Sequence, residues 1–296
     1  CKITIFVEMK IKTQEISNRI FEEKDVKLFV KRIDLTHEFI SGNKWYKLKY
    51  NLLEAERNSF NTLLTFGGAY SNHILATSVL ANENGFKSIG IIRGERCADL
   101  NPTLKLAKEH GMQLHYVSRK EYQFKQTSKF LSVLRNKFGD FYLIPEGGSN
   151  KFALKGTSEI ITKNDSQDYI CCSVGTGTTL AGIINSSSIK QNIIGFPAIK
   201  GFKELEKEIK SITTKSNWQL NNDFCFGGYA KTNSLLINFI NNFNKNQLIP
   251  LDAIYTGKMM FGILELIAKD YFPKGSSILA IHTGGLQGNK GMNQRF

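Results

Sequence analysis

The sequence lacks the cysteine spacings on which disulfide-rich domains and zinc sites depend. It has five cysteines among 296 residues, and no two of them form a CxxC pair. The pattern therefore indicates neither a disulfide framework nor a metal site. Cys171 and Cys172 are adjacent in an apolar run, where consecutive strand residues point to opposite faces. Reduced cysteines and a cytoplasmic location fit this usage best.

Long apolar runs are also absent, so we expect no membrane span, which needs roughly 18 such residues in succession. The first residues lack the apolar core of a signal peptide. The chain begins at Cys1 rather than at methionine. Cleavage of a lipoprotein before that cysteine would explain this, but a truncated or reassigned start, with Met9 as a possible initiator, is the favoured interpretation.

Basic residues are in excess, yet no block of one charge is present. The net charge is +13, but the lysines and arginines of residues 119–137 and 200–215 alternate with polar, apolar or acidic neighbours. Basic stripes interleaved with aromatic residues, which single-strand binding requires, are missing. We therefore expect no nucleic-acid partner and a surface that attracts anionic metabolites. The alternative would show a strongly salt-dependent affinity for DNA or RNA.

Apolar strand-like runs alternate with segments of helical periodicity after an N-terminal region that we expect to be irregular. Residues 119–137 read as one continuous helix. This alternation predicts parallel sheets. Two such series lie on either side of the turn-rich residues 146–151, and they predict two α/β domains with a cleft between them.

Four glycine-rich turns follow predicted strands, where ligands bind in open α/β sheets. One such turn is weak support, since any tight corner between a strand and a helix favours glycine. Four with hydroxyl groups nearby indicate a ligand site. They are Phe66-Gly-Gly-Ala-Tyr-Ser-Asn-His73, Glu146-Gly-Gly-Ser149, Val174-Gly-Thr-Gly-Thr-Thr179 and His282-Thr-Gly-Gly285.

The turn from Gly175 to Thr179 is suited to a phosphate group. Its glycines let backbone amides approach closely, its threonines add donors, and a helix N-terminus follows. No lysine occupies the Walker position, and the glycine spacing differs from GxGxxG. A tight turn without a ligand is the structural alternative.

Lys44 is the candidate for covalent chemistry. Asn43 is a plausible N-cap for a helix that runs to about Asn58. Lys44 then lies in the first turn, where the helix dipole disfavours a cation and helps to lower the pKa, as a Schiff-base lysine requires. A solvated lysine on an exposed helix start is the alternative on position alone.

Six motifs occur in one order: Gly42-Asn-Lys44, the four turns above, and Tyr255-Thr-Gly-Lys258 before the last of them. This set resembles the family of D-cysteine desulfhydrase and 1-aminocyclopropane-1-carboxylate (ACC) deaminase over residues 30–290. These enzymes use pyridoxal 5′-phosphate (PLP) and share the fold of the tryptophan synthase β-subunit. The resemblance implies a fold-type II PLP enzyme, with two three-layer parallel-sheet α/β domains and PLP in the cleft. It assigns residues 1–46 and 151–296 to a large PLP-binding domain and 47–150 to a small one, and it implies a homodimer.

The resemblance also implies roles for single residues. Lys44 would carry PLP as a Schiff base, and Asn72 would bind the phenolic oxygen. Thr283 would lie near the pyridine nitrogen. The phosphate would be held by Gly175, Thr176, Gly177, Thr178 and Thr179.

On the substrate side, the resemblance implies that Ser71, Asn72 and His73 face the carboxylate at a helix N-terminus. Tyr229 and Tyr255 match two tyrosines of the family's substrate pocket. Lys44 would be the base that removes the Cα proton, with Ser71 as a possible participant.

Two threonines favour the desulfhydrase branch. Thr256 and Thr283 stand where ACC deaminases typically carry Glu and Leu, and the resemblance also assigns Thr256 to the substrate site. We therefore expect a small amino-acid substrate, D-cysteine first, which yields pyruvate, sulfide and ammonia. The alternatives are an ACC deaminase, which yields 2-oxobutanoate and ammonia, and a PLP-binding protein without robust catalysis. Trp45-Tyr46 and Ala69-Tyr70 depart from the family pattern, which puts the substrate in doubt, and His282 is a possible positioning residue.

Overall fold

A computed structural model describes residues 10–96, 98–199 and 202–289, and its ten strands form two sheets. The strands are β1 (Thr13–Ile16), β2 (Lys27–Lys31), β3 (Thr62–Gly68), β4 (Lys87–Arg93), β5 (Met112–Val117), β6 (Tyr142–Ile144), β7 (Tyr169–Val174), β8 (Asn192–Pro197), β9 (Trp218–Leu220) and β10 (Ser277–Ile281).

Eleven α-helices in the described residues connect these strands. None of them has both the length and the apolar character needed to cross a membrane. They are α1 (Arg19–Glu23), α2 (Asn43–Arg57), α3 (Asn72–Glu83), α4 (Pro102–Glu109), α5 (Arg119–Tyr122), α6 (Ser128–Phe138), α7 (Lys151–Thr157), α8 (Thr178–Ser186), α9 (Phe202–Ile212), α10 (Ser234–Gln247) and α11 (Thr256–Ala268).

Both sheets are built mainly from parallel pairs, which confirms the predicted α/β class. The larger sheet has the order β1-β2-β10-β7-β8-β9, and the smaller has β5-β4-β3-β6. Only the edge pair β1–β2 is antiparallel among the pairs described. The two sheets draw on the segments assigned above to the two domains. The proposed boundary between residues 46 and 47, however, falls inside α2.

Two local predictions are wrong. The N-terminal region is not irregular, because β1 and β2 form the edge of the larger sheet; these short, mixed strands lack an apolar run of their own. The predicted helix over 119–137 is two helices, α5 and α6. The second helix begins after Thr127. Its hydroxyl caps α6 by accepting a hydrogen bond from the Phe130 amide at 3.3 Å.

A continuous apolar core joins the two sheets. Leu48 and Leu52 of α2 pack in one buried cluster with Leu75 of α3, with Ile170 of the larger sheet and with Leu63 of the smaller one. Helix α2 therefore lies between the sheets, and its first turn is held at the edge where their strands end. Burial of such side chains stabilises the fold by about 1.5–3 kcal/mol each.

Lys31 of β2, in the larger sheet, forms a buried ion pair with Asp165. Each side chain is 6% exposed. Asp165 Oδ2 also accepts hydrogen bonds from the amide and the hydroxyl of Thr162, at 2.8 and 3.0 Å. The carboxylate thus compensates a buried charge on β2 and fixes the loop that precedes β7.

We expect Asp165→Ala to lower the free energy of unfolding by about 3–5 kcal/mol, because it leaves the Lys31 ammonium buried without its carboxylate. Glu23→Ala removes the exposed Arg19–Glu23 pair and should change that free energy by about 1 kcal/mol or less. Urea denaturation of both variants measures the difference. Equal, small losses in the two variants would contradict a stabilising role for the buried pair.

Candidate active site

The cleft opens where β3 of the smaller sheet and β7 and β10 of the larger one end. Its volume is about 680 Å³. Turns from both sheets and the first turn of α2 line it, which brings together most of the residues selected from the sequence. These are Lys44, Ser71, Asn72, His73, Gly175, Thr176, Gly177, Thr179, Tyr229, Tyr255 and Thr283.

The start of α2 packs closely against the turn after β10. Gly42 has a φ of 65°, and a Cβ atom placed on it would lie 2.0 Å from the Thr283 carbonyl oxygen, so only glycine fits there. The Asn43 amide donates to the same carbonyl at 3.3 Å. The Asn43 side chain does not cap the helix as predicted. Its Nδ2 donates to Thr179 Oγ1 at 2.9 Å, and its Oδ1 accepts from Lys44 Nζ at 2.9 Å.

Burial changes the acidity of Lys44. Loss of solvent lowers the pKa of its amine from 10.5 to about 8, and the carboxylate of Asp252 opposes this shift. A substantial fraction of the amine is therefore neutral, and so nucleophilic, near neutral pH. The direction is the one expected from the sequence, but its cause is burial and not the helix dipole.

A second buried lysine lies one turn further along α2, and the sequence analysis missed it. Lys47 is 3% exposed, and its Nζ donates to the Gly147 carbonyl at 3.0 Å and to Thr176 Oγ1 at 3.1 Å. Burial and the charge of Lys44 hold the pKa of Lys47 well below its usual range. The spacing of three residues, which places both side chains on one helix face, was the available signal.

The turn before α8 presents glycines and hydroxyls to the cleft, with one exception. The Thr178 side chain does not line the cleft, since its hydroxyl contacts Ser149 Oγ. Gly177 has a φ of 79°, and a Cβ atom there would meet Ile209 Cγ1 at 2.9 Å, on the side of α9 rather than of the cleft. A Cβ atom on Gly175 would instead lie 3.3 Å from the Tyr255 hydroxyl.

The start of α3 carries a side-chain amide, that of Asn72, whose oxygen has no partner among the described residues. The Ser71 hydroxyl caps the helix by accepting from the Ile74 amide at 3.4 Å. Asn72 Oδ1 is buried and has no hydrogen-bond partner within the described part of the chain. Leaving such an atom unpaired costs about 1–3 kcal/mol, so the side chain is suited to a ligand that restores the bond.

His73 is held as a neutral imidazole. Thr65 Oγ1 donates to the Ile144 carbonyl at 2.8 Å, so His73 Nε2 must donate to Thr65 across the 2.8 Å between them. Burial and the charges of Lys44 and Lys47 lower the pKa of the ring well below 6.5. Nδ1 then presents a lone pair and has no partner among the residues described. His73 therefore offers a hydrogen-bond acceptor to the cleft.

Tyr229 and Tyr255 form an aromatic wall of the cleft. Their ring centroids are 6.3 Å apart in an edge-to-face arrangement. Burial raises the pKa of both phenols, so both hydroxyls remain protonated donors at neutral pH. Tyr229 is half exposed and lies on a loop, whereas Tyr255 precedes α11.

The turn after β10 is positioned by His282. Its Nε2 donates to the Pro250 carbonyl at 2.7 Å, and its Nδ1 accepts from the Gly284 amide at 3.3 Å. The intervening Thr283 lines the cleft with its hydroxyl 3.0 Å from Ser173 Oγ. These bonds agree with the positioning role considered for His282.

Thr256 does not reach the cleft, which corrects its assignment to the substrate site. Its side chain is fully buried. The hydroxyl donates to Asp252 Oδ2 at 2.6 Å and accepts from the Asp252 amide at 2.9 Å. Asp252 also accepts from the amides of Ile254 and Tyr255, so this pair fixes the start of α11.

Comparison with known proteins adds to this geometry. No protein-family model matches the chain. It is 29% identical over 291 residues to a candidate ACC deaminase of Pyrococcus abyssi, covering 91% of this chain and 88% of that protein. It is also 29% identical to the mitochondrial bifunctional D-cysteine desulfhydrase/ACC deaminase of Arabidopsis thaliana, over 88% and 73% of the two chains. An ACC deaminase homologue of known crystal structure has a TM-score of 0.85 and 25% identity, over 97% and 93%.

The fold and the cleft define a fold-type II protein, as predicted. Within that class, the resemblance to the D-cysteine desulfhydrase and ACC deaminase family is confirmed over nearly the whole chain.

We expect acylation of Lys44 by an amine-reactive reagent to rise with pH, with a midpoint near 8, because only the neutral amine reacts. Brief exposure of the protein at graded pH, followed by mass spectrometry of the α2 peptide, measures this midpoint. A midpoint near 10.5, the ordinary value for lysine, would show that burial does not activate this amine.

Proposed function

We propose that this protein is a PLP-dependent lyase that converts D-cysteine and water to pyruvate, sulfide and ammonia. One observation carries the proposal. A lysine with a pKa near 8, an unpartnered buried amide and a glycine–threonine turn at a helix N-terminus converge in one cleft. The similarity to lyases and deaminases over most of the chain supports an enzymatic role.

The residues present fit PLP. Its phosphate needs several donors, and the turn from Gly175 to Thr179 supplies amides and hydroxyls at the start of α8. Lys47 adds a further donor, because its Nζ already bonds Thr176 Oγ1. The side chain of Asn72 lines the cleft, and its Nδ2 can donate to the phenolic oxygen. The Thr283 hydroxyl is a partner for the pyridine nitrogen, and Lys44 would hold the cofactor through its amine.

When bound, PLP supplies an electron-withdrawing ring that stabilises the negative charge left on Cα when its proton is removed. The protein supplies the rest. Ser71 and the amides at the start of α3 would bind the substrate carboxylate, where the helix dipole favours an anion. Lys44, with a pKa of about 8, can take a proton from Cα and release it at neutral pH.

The other walls of the cleft orient the substrate and exclude water. The hydroxyls of Tyr229 and Tyr255 remain protonated, so they can donate to a substrate group that gains negative charge. A departing thiolate is such a group. His73 presents an acceptor at Nδ1, which suits a protonated amine or a thiol better than a carboxylate.

The two threonines differ in their access to the substrate. Thr283 lines the cleft, whereas the Thr256 hydroxyl bonds Asp252, so of these two residues Thr283 alone can contact the substrate directly. ACC deamination is the second candidate, and similarity to the bifunctional Arabidopsis enzyme favours keeping it. ACC and water would give 2-oxobutanoate and ammonia.

We also propose the two-domain division stated above, a homodimer and a cytoplasmic location. The two sheets support the division, because residues 13–31 and 169–281 form one and residues 62–144 the other. The thiols of Cys171 and Cys172 are buried and unpaired, which fits a reducing compartment.

The purified protein loaded with PLP should release sulfide and pyruvate in equal amounts from D-cysteine, and should act on ACC more slowly by about 10²-fold, a difference of about 2.7 kcal/mol in barrier. Thr283→Val, which removes only the hydroxyl, should lower the desulfhydrase rate. A panel of D- and L-amino acids plus ACC, assayed for sulfide, pyruvate and 2-oxobutanoate, measures this. Lys44→Ala, which removes the candidate base, is the inactive control.

Faster consumption of ACC than of D-cysteine would make deamination the principal activity. PLP binding without any product from the panel would contradict the enzymatic proposal and support cofactor binding alone.

A further inference from the structure

The loop that carries Tyr229 has an unusual backbone. Four of its residues lie in the left-handed region, and two of these are not glycine, so the conformation is unfavourable unless other contacts hold it. The φ values are 49° for Phe226, 85° for Gly227, 114° for Gly228 and 53° for Ala230.

A buried lysine of α11 contacts this loop. Lys258, in the first turn of α11, is 2% exposed. Its Nζ donates to the carbonyls of Cys225 at 2.9 Å and Gly228 at 2.7 Å. The same two carbonyls accept from the amides of Gly228 and Lys231, at 3.0 and 3.1 Å. One ammonium therefore joins two consecutive turns, residues 225–228 and 228–231, and the second of them contains Tyr229.

Helix α11 contacts the loop through residues three positions apart. The Phe261 ring packs edge-to-face on Phe226, with centroids 5.1 Å apart. Tyr255, just before the helix, packs on Tyr229 in the same manner. Lys258 lies between these two contacts in sequence and on the same helix face. Both cleft tyrosines are therefore positioned from one helix.

A cation is unfavourable at this place for two reasons. The ammonium is removed from water, and the positive end of the α11 dipole is close to it. The bonds to the two carbonyls offset part of this cost and are its only polar contacts among the described residues. A side chain that merely filled the space would not need the charge.

We propose that Lys258 is a positioning residue that holds the loop of residues 225–230, so that Tyr229 closes the cleft over the substrate. The contact between Lys258 and the loop is inferred from geometry alone. The closure of the cleft over a substrate by Tyr229 rests on the function proposed above.

Hydrogen exchange tests the loop contact without any substrate. In Lys258→Met, which keeps the length of the side chain and removes its donors, the amides of Gly228 and Lys231 should exchange at least about tenfold faster. Amides in the α3 and α8 helices should keep their rates. Lys245→Met, at an exposed lysine near the end of α10, should leave all of these rates unchanged.

Kinetics of the PLP-loaded protein then test the consequence. Loss of the Tyr229 contact should raise KM for D-cysteine by about tenfold and should also lower kcat, because Tyr229 is a candidate donor to the departing thiolate. Lys258→Arg, which restores two donors, should recover most of the exchange protection and of the KM. Lys245→Met should match the unaltered protein in both parameters.

Exchange rates in Lys258→Met equal to those of the unaltered protein would overturn the proposal, as would faster exchange without a change in KM. If the methionine variant does not fold, the same measurements on Lys258→Gln decide between these outcomes. If the unaltered protein has no activity on the panel, the proposed function fails, while the exchange result still decides whether Lys258 holds the loop.

Discussion

The close approach of Gly42 to the Thr283 carbonyl is the constraint on which the cleft depends. It brings the first turn of α2 against the turn that ends the central β10 strand, and no side chain fits between them. Asn43 completes this junction by bonding Thr179 and Lys44 at once. Three segments far apart in sequence therefore meet around one amine.

The same junction determines the electrostatics of the site. Helix α2 is buried between the two sheets, so the amines of Lys44 and Lys47 both lose solvent, and the charge of Lys44 further lowers the pKa of Lys47. Asp252 partly opposes this for Lys44. The cleft therefore offers amines of lowered pKa and protonated tyrosine hydroxyls, which can donate to anionic ligands such as phosphate and carboxylate groups.

Local periodicity predicted the parallel sheets and the ligand turns, because those signals lie within short segments. It could not reveal that β1 and β2 pair at the sheet edge, since that pairing depends on partners far along the chain. The site shows the same limit. Lys44 and the glycine turns were recognisable, but Lys47, the tautomer of His73 and the burial of Thr256 depend on contacts across the fold. The role of a serine or threonine is especially hard to predict from the sequence, because the same hydroxyl group can cap a helix or bind a ligand.

The central claim is that Lys44, rather than a neighbouring lysine of α2, holds the cofactor. Reduction of the PLP-loaded protein with borohydride, followed by peptide mass spectrometry, tests it most directly. We predict that the mass of the reduced cofactor lies on Lys44, with Lys47 and Lys49 unmodified. Modification of Lys47 in the protein with Lys44 intact would contradict the assignment, and so would the absence of any fixed cofactor.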